Sequence, residues 1–446
     1  MSNIAVIKKK ISPYNKKIFV DGCKSISIRS ILLASIGIGK STIFSLPESE
    51  DVKSTIDCIK RLGIKIIKNR KNCVIFGKGI NGFDYKKNIT INAGNSGTCG
   101  RLILGLLVAS KNKIKLIGDK SLSKRNFGRI VDPLEKFGSN FIVNKNRGLP
   151  LKIIGSDFIR PIKFREEIGS SQVKSSCMFA ALNAPGKTII ISKKSRNHSE
   201  LFFKFLNIPI KIKKNKNYDL IEVEGQKNFH SFKYKIPGDV SSAAFFIALT
   251  LISKNSQLTI KNVNVNPTRI GYINILNKMG AKIKILNKKN YKGEIIGDIF
   301  VKSNKNLKSI NCPSNLNSIT IDEFNLLFIN AAFSKGVSTF KNLEELNKKE
   351  SKRLEWGFKI LKMIGIKTKK IGNHGIKIWG NPNLELNKKY IIKNYLKDHR
   401  IAMCTFILAL ARGGNWRIED VVESIKTSFP SFLKIVKTLG GKYEIR

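Results

Sequence analysis

Six times along these 446 residues a helical run stops at Gly or Asn and gives way to alternating, strand-like sequence. The stops are Leu62-Gly63-Ile64, Phe137-Gly138-Ser139, Leu206-Asn207-Ile208, Met279-Gly280-Ala281, Ile364-Gly365-Ile366 and Leu439-Gly440-Gly441, each 69 to 85 residues from the next. Gly or Asn at such a place adopts the left-handed conformation that closes a helix's last turn. A near-even period over six copies predicts six structural units of about 75 residues.

A second feature shares that period. Polar starts at Lys24-Ser25-Ile26-Ser27, Asn95-Ser96-Gly97-Thr98, Ser170-Ser171-Gln172, Asp239-Val240-Ser241-Ser242, Ile321-Asp322-Glu323 and Asp398-His399-Arg400 each lead into an uncharged run. The runs are Ile31–Ile38, Leu102–Ala109, Met178–Leu182, Ala243–Ile252, Leu326–Phe333 and Ile401–Ala411. A helix apolar on every face has to be interior, so the amphipathic helices and sheets form the outer layers. The stretch Gly94–Arg101 fits two descriptions: an ordinary capped helix start, or an anion site where glycines let backbone N–H groups approach the ligand.

Pro-Gly in Tyr234–Asp239 punctuates the chain before the fourth apolar run, and Val20-Asp21-Gly22-Cys23-Lys24 makes a similar crossing before the first. Two crossings are what an inserted domain needs. Residues 1–21 with 238–446 are therefore expected to form one three-unit α/β domain, which includes the first strand. Residues 22–237 are expected to form the inserted one. Parallel interior helices in each half would bring their positive ends together, with an active site in the cleft between the domains.

The formal charge of +51, from 82 basic and 31 acidic residues, first suggests nucleic acid. Its distribution argues otherwise. Lysines accompany Ile and Asn throughout the chain, as AT-rich coding would produce, and no basic tail or RNA-binding signature occurs. Any single Lys is best read as solvated surface, on a protein that attracts small anions. Seven cysteines without a CxxC pair, four scattered His and no uninterrupted membrane-length apolar run predict a cytoplasmic protein with no metal site and no membrane association. The first ten residues alternate like a strand and lack a signal-peptide core.

Arginine is more informative, because it is scarce here yet recurs at the helix starts: Arg29, Arg101, Arg125, Arg129, Arg353 and Arg400. Its fork suits carboxylate and phosphate. Ser25 and Arg29 lie four apart on one helix face, as do Lys349 and Arg353, with Glu350 beside the latter pair. Asp322 fits either an N-cap or a proton acceptor held among cations.

Ten stretches, in order, resemble the enolpyruvyl transferases, and among them the 5-enolpyruvylshikimate-3-phosphate synthase family. They are Lys24–Ser27 with Arg29, Gly94–Arg101, Gly118–Arg125, Ser170–Ser175, Pro237–Ala243, Asn266–Arg269, Ile321–Glu323, Lys349–Ser351 with Arg353, Asp398–Met403 and Thr427–Pro430. The resemblance implies a two-domain inside-out α/β barrel of six βαβαββ units. It also implies transfer of the enolpyruvyl group of phosphoenolpyruvate to the 5-hydroxyl of shikimate 3-phosphate, releasing phosphate through a tetrahedral adduct, without a cofactor. Carried over motif by motif, shikimate 3-phosphate would meet Lys24, Ser25, Arg29, Ser170, Ser171, Gln172, Asp322 and Lys349. Phosphoenolpyruvate would meet Lys24, Gly97, Arg125, Gln172, Arg353 and Arg400. Asp322 would take the hydroxyl proton, with Glu350 and Lys24 protonating the enol carbon. The same resemblance implies a glyphosate target in aromatic amino acid biosynthesis, and a monomer is the expected state.

The chain departs from the family's usual residues at Cys23, Ile28, Cys99-Gly100, Leu102, Asn325 and Lys352, and Lys426 sits one residue early relative to Phe429-Pro430. Two alternatives compete. The UDP-N-acetylglucosamine enolpyruvyl transferases would show Lys-Asn in place of Lys24-Ser25 and a Cys-bearing loop rich in Arg and Pro. A nucleic-acid-binding protein would show its cations clustered with aromatics.

Overall fold

The computed structural model describes residues 3–70 and 72–446, and these divide into two compact units. One comprises 1–21, 237–290 and 295–446; the other comprises 22–236 with the short segment Tyr291–Glu294. Pro237 thus falls with the first unit. Tyr291–Glu294, the tip between two long strands, falls with the second, a detail without a sequence signal.

Each unit has its own apolar core, and three interior helices run through it. In the second unit they are Lys24–Ile36, Gly97–Leu106 and Ser171–Ala181. In the first they are Val240–Ile252, Phe324–Ala332 and His399–Arg412. Every residue of Val240–Ile252 and of Phe324–Ala332 is buried, and the other four helices leave only Lys24, Ser25, Thr98, Arg101, Ser171, Gln172 and Arg412 partly exposed. All six stops have left-handed backbone: Gly63, Gly138, Asn207, Gly280, Gly365 and Gly440 have φ between 54° and 115°. Each follows an amphipathic outer helix and precedes a strand, as the period predicts.

The described residues form six small sheets, five of four strands and one of three. The sheet built on Ile114–Ile117 shows the rule. Ile89–Asn92 pairs with it in parallel, Leu151–Ile154 pairs with it antiparallel, and Asn140–Ile142 closes the outer edge. A parallel pair needs a crossover, and in this sheet the interior helix Gly97–Leu106 makes it. The outer helix then makes the second connection.

Where the chain enters and leaves a unit, strands from distant sequence complete the pattern. Ile4–Ile7 lies between Asn415–Glu419 and Glu444–Ile445, antiparallel to both. Asn15–Ile18 runs parallel to Gln257–Asn264, and Lys233–Lys235 runs parallel to Ile38–Phe44. In the three-stranded sheet, isolated bridges at Lys308 and Asn311 stand in for the fourth strand.

Glycine sets how closely two interior helices approach. A Cβ on Gly105 would lie 2.2 Å from the Ser176 carbonyl oxygen, so only hydrogen allows Gly97–Leu106 to pack against Ser171–Ala181. Gly105→Ala should cost about 1–3 kcal/mol through overpacking, despite alanine's better helix propensity. Urea unfolding followed by far-ultraviolet circular dichroism should show the loss.

Candidate active site

In the second unit, side chains tie the three interior helix starts together. Arg29 is buried and reaches across to two other helices. Its Nε donates to Ser199 Oγ at 2.8 Å. One terminal nitrogen donates to the Ser25 carbonyl at 3.0 Å, the other to Ser171 Oγ at 3.3 Å and Ser175 Oγ at 3.0 Å. Gln172 donates from Nε2 to Thr98 Oγ1 at 3.1 Å and accepts from Arg101 on Oε1, which joins the second and third helix starts.

The loops that feed these starts are held by carboxylates. Asp119 caps Leu122 at 2.7 Å, accepts from Asn95 Nδ2 at 2.6 Å, and donates its amide to the Gly94 carbonyl. Asn95 in turn accepts from Arg125 at 3.4 Å. Ser96 caps its helix by accepting from the Cys99 amide. Gly97 faces Arg125, and a Cβ at 97 would come within 2.9 Å of an Arg125 nitrogen. The capped helix start thus also sets its first glycine against an arginine. Glu166 accepts the amides of Ile168, Gly169 and Ser170, fixing the approach to Ser170 and Ser171. Lys24, the first residue of its helix, pairs with the buried Asp51 at 2.7 Å.

In the first unit the cations and acids interleave. Arg353 is fully buried and sits among three carboxylates. It donates to Asp398 through Nε at 2.9 Å and a terminal nitrogen at 3.2 Å, to Glu350 at 2.5 Å and to Asp322 at 3.4 Å. Lys349 stands 3.5 Å from the same Asp322 oxygen. Burial opposes charge on Arg353, but Asp398, Glu350 and Asp322 outweigh it and lift the guanidinium above its usual range. Burial likewise opposes charge on Asp398, yet Arg353 beside it brings the carboxyl below its usual range. The pair is therefore ionised.

Exposure separates the roles of these acids. Asp398 is wholly buried and committed to Arg353, to the Ser351 hydroxyl and to the Arg400 amide that it caps. The side chains of Asp322 and Glu350 remain 17% and 18% exposed. Arg400 lies 3.7 Å from Glu323 and over the Phe245 ring.

The structure thus gathers Lys24, Ser25, Arg29, Gly97, Arg125, Ser170, Ser171 and Gln172 at the helix starts of one unit. It gathers Asp322, Lys349, Glu350, Arg353 and Arg400 at those of the other. Lys426 joins neither group; it is exposed and pairs with Glu423. Asp51, Glu166 and Ser199 lie outside the stretches the sequence singles out, and Ser175 and Glu323 lie inside two of them without an assigned role. The four-residue spacing of Ser171 and Ser175 was the one available signal among them. Asn325 donates to the Arg353 carbonyl at 3.0 Å, a tie that proline there could not make.

A family profile described as EPSP synthase (3-phosphoshikimate 1-carboxyvinyltransferase) matches residues 8–436. The chain belongs to the EPSP synthase family. The 3-phosphoshikimate 1-carboxyvinyltransferase of Ruthia magnifica subsp. Calyptogena magnifica is 40% identical over 423 residues, 94% of each chain. That of Zymomonas mobilis subsp. mobilis is 36% identical over 445 residues, 99% of this chain and 97% of the relative. The solved EPSP synthase of Acinetobacter baumannii matches over the full length of both chains, with 30% identity and a TM-score of 0.86. The enolpyruvyl transferase NikO of Streptomyces tendae shares the fold at 11% identity and a TM-score of 0.76. Membership in the EPSP synthase family sets aside the UDP-sugar and nucleic-acid readings.

In this EPSP synthase family member, Asp398→Asn removes one partner of a buried ion pair and should cost about 3–5 kcal/mol. A carboxyl held low in the folded state stabilises above the usual carboxylate range and loses that contribution as pH falls through its folded titration. The gap between parent and variant should therefore close in acid. All three Trp (356, 379 and 416) lie in the first unit, so Trp fluorescence during urea unfolding reports it.

Proposed function

We propose that this chain is an EPSP synthase that transfers the enolpyruvyl group of phosphoenolpyruvate to the 5-hydroxyl of shikimate 3-phosphate, releasing phosphate. The reaction belongs to aromatic amino acid biosynthesis. The observation that carries the residue assignment is the Asp322–Lys349–Glu350–Arg353 cluster, in which two part-exposed carboxylates share Arg353, held in place by the wholly buried Asp398, and Lys349 stands beside Asp322.

Arg29, Ser25, Ser170, Ser171, Gln172, Lys24, Lys349 and Asp322 hold shikimate 3-phosphate. The multi-donor fork of Arg29, set by three seryl hydroxyls, suits its phosphate. Lys24, Arg125, Arg353, Arg400, Gln172 and the helix start at Gly97 hold phosphoenolpyruvate. Asp322 accepts the proton of the attacking hydroxyl. A carboxylate that gives up its cation to a ligand holds a proton more tightly, so phosphoenolpyruvate drawn onto Arg353 prepares Glu350 to protonate the methylene carbon. Lys24 is the second partner in that step. The tetrahedral adduct then loses phosphate as the methyl proton is removed again. Fixed cations stabilise the moving charge throughout.

The seven cysteines are free and buried, which suits a reducing cytoplasm. No described helix is long and apolar enough to cross a membrane. Because one chain supplies every residue assigned here, the enzyme is proposed to act as a monomer.

Phosphate release should require both shikimate 3-phosphate and phosphoenolpyruvate. Asp322→Asn should lower kcat by about 10²–10⁴, the span of general acid–base catalysis, far more than it weakens substrate binding. Release driven by a UDP-sugar instead would overturn the assignment. A second outcome concerns glyphosate: Gly97→Ala displaces Arg125 and should weaken glyphosate and phosphoenolpyruvate far more than shikimate 3-phosphate. Competition assays against each substrate measure the difference.

A further inference from the structure

Two motifs have no part in the chemistry so far: Pro237-Gly238-Asp239-Val240-Ser241-Ser242 and Asn266-Pro267-Thr268-Arg269. They meet in the interior of the first unit. One terminal nitrogen of the buried Arg269 donates to Asp239 Oδ1 at 3.2 Å and to Ser241 Oγ at 2.7 Å. The Ser241 hydroxyl, its oxygen occupied by Arg269, donates to Glu323 Oε1. Arg400 approaches that same oxygen, but its nearest terminal nitrogen stops at 3.7 Å, outside hydrogen-bond range. That nitrogen is buried and makes no hydrogen bond among the described residues.

The spacing is unusual for chemistry this favourable. A buried carboxylate facing a buried guanidinium normally closes to a charge-assisted bond, often a bidentate one. Here Ser241 takes the carboxylate oxygen first. Asp239 fixes Arg269, Arg269 fixes the Ser241 oxygen, and the hydroxyl proton is left pointing at Glu323. Phe245, one turn along the same helix as Ser241, lies under the Arg400 guanidinium 5.8 Å away and supports its plane.

We infer that Ser241, braced by Arg269, is a positioning residue: it holds Glu323 off Arg400 and keeps the Arg400 fork uncommitted until phosphoenolpyruvate arrives. Glu323, 3.7 Å away, still holds Arg400 in place by charge. Without the hydroxyl, Glu323 closes on Arg400, and phosphoenolpyruvate has to break an internal ion pair to bind. The inference rests on Arg400 being a phosphoenolpyruvate ligand.

The test compares Ser241→Ala, Glu323→Gln, the Ser241→Ala/Glu323→Gln double variant and Arg400→Lys. Each is assayed for phosphoenolpyruvate KM at saturating shikimate 3-phosphate, and for shikimate 3-phosphate Kd by calorimetry. Ser241→Ala should raise the KM about tenfold, the scale of one hydrogen bond to a charged group, and leave the Kd in place. The double variant should recover most of that loss, because an amide closes only weakly on Arg400. A folding defect in Ser241→Ala would not be repaired by a second core substitution, so this recovery separates positioning from damage. An unchanged KM in Ser241→Ala alongside a raised KM in Arg400→Lys would overturn the inference and leave the active-site assignment standing. A double variant no better than Ser241→Ala would also overturn it. An unchanged KM in Arg400→Lys would remove Arg400 from the site, and the inference with it.

Discussion

The burial of six helices that have no polar face is the constraint from which the rest of this structure follows. Such a helix satisfies its backbone internally along its length but leaves N–H groups unpaired at its start. Those starts are where polar chemistry is both needed and possible. Ser96, Ser170, Asp239 and Asp398 cap four of them with their own side chains. The first and fifth lack a side-chain cap, and there the neighbouring residues Lys24 and Asp322 are among those assigned to catalysis. Capping and ligand binding draw on the same groups.

Concentrating cations at these points creates the opposite difficulty, since arginines taken out of water need partners that do not disable them. The two units solve it differently. In one, Arg29 is aligned by the hydroxyls of Ser171, Ser175 and Ser199, which direct its fork without a formal charge. In the other, Arg353 is anchored by the wholly buried Asp398 on one side and turns its remaining donors toward Glu350 and Asp322. Arg400 stands between these cases, near a carboxylate that a serine detains. In each, geometry decides how much of the charge remains for a ligand.

The repeat was legible because its signals are local: Gly or Asn at a left-handed position, and a run without charge. Helix starts, outer helices and the strands after each stop follow from those two facts. The tip Tyr291–Glu294 carries no local signal of its unit, because its placement depends on Phe205 and Tyr234, far away in sequence. Site residues that carry charge at a motif were visible in the sequence. Their supports were hidden for the same nonlocal reason. Asp51 reaches Lys24 from a separate helix, Ser199 meets Arg29 across 170 positions, and Glu323 reads as an ordinary neighbour of Asp322 until Ser241 is seen beside it.

The strand Ile4–Ile7 has neighbours that are synthesised more than 400 residues later. At ribosomal speeds it waits on the order of tens of seconds before they exist. Meanwhile Ile-Ala-Val-Ile is a short, uncharged segment of high β-propensity, the kind that recruits other chains through its bare edges. Lys8-Lys9-Lys10 follows it directly and is exposed in the finished fold. Charges flanking an apolar strand oppose its pairing with a second copy, and three adjacent lysines stand in that position here. The contiguous stretch 22–236 faces no comparable delay, because nearly all of its own core has been made when residue 236 appears. The order of synthesis thus completes the contiguous stretch 22–236 before the unit that contains Ile4–Ile7 has all of its strands.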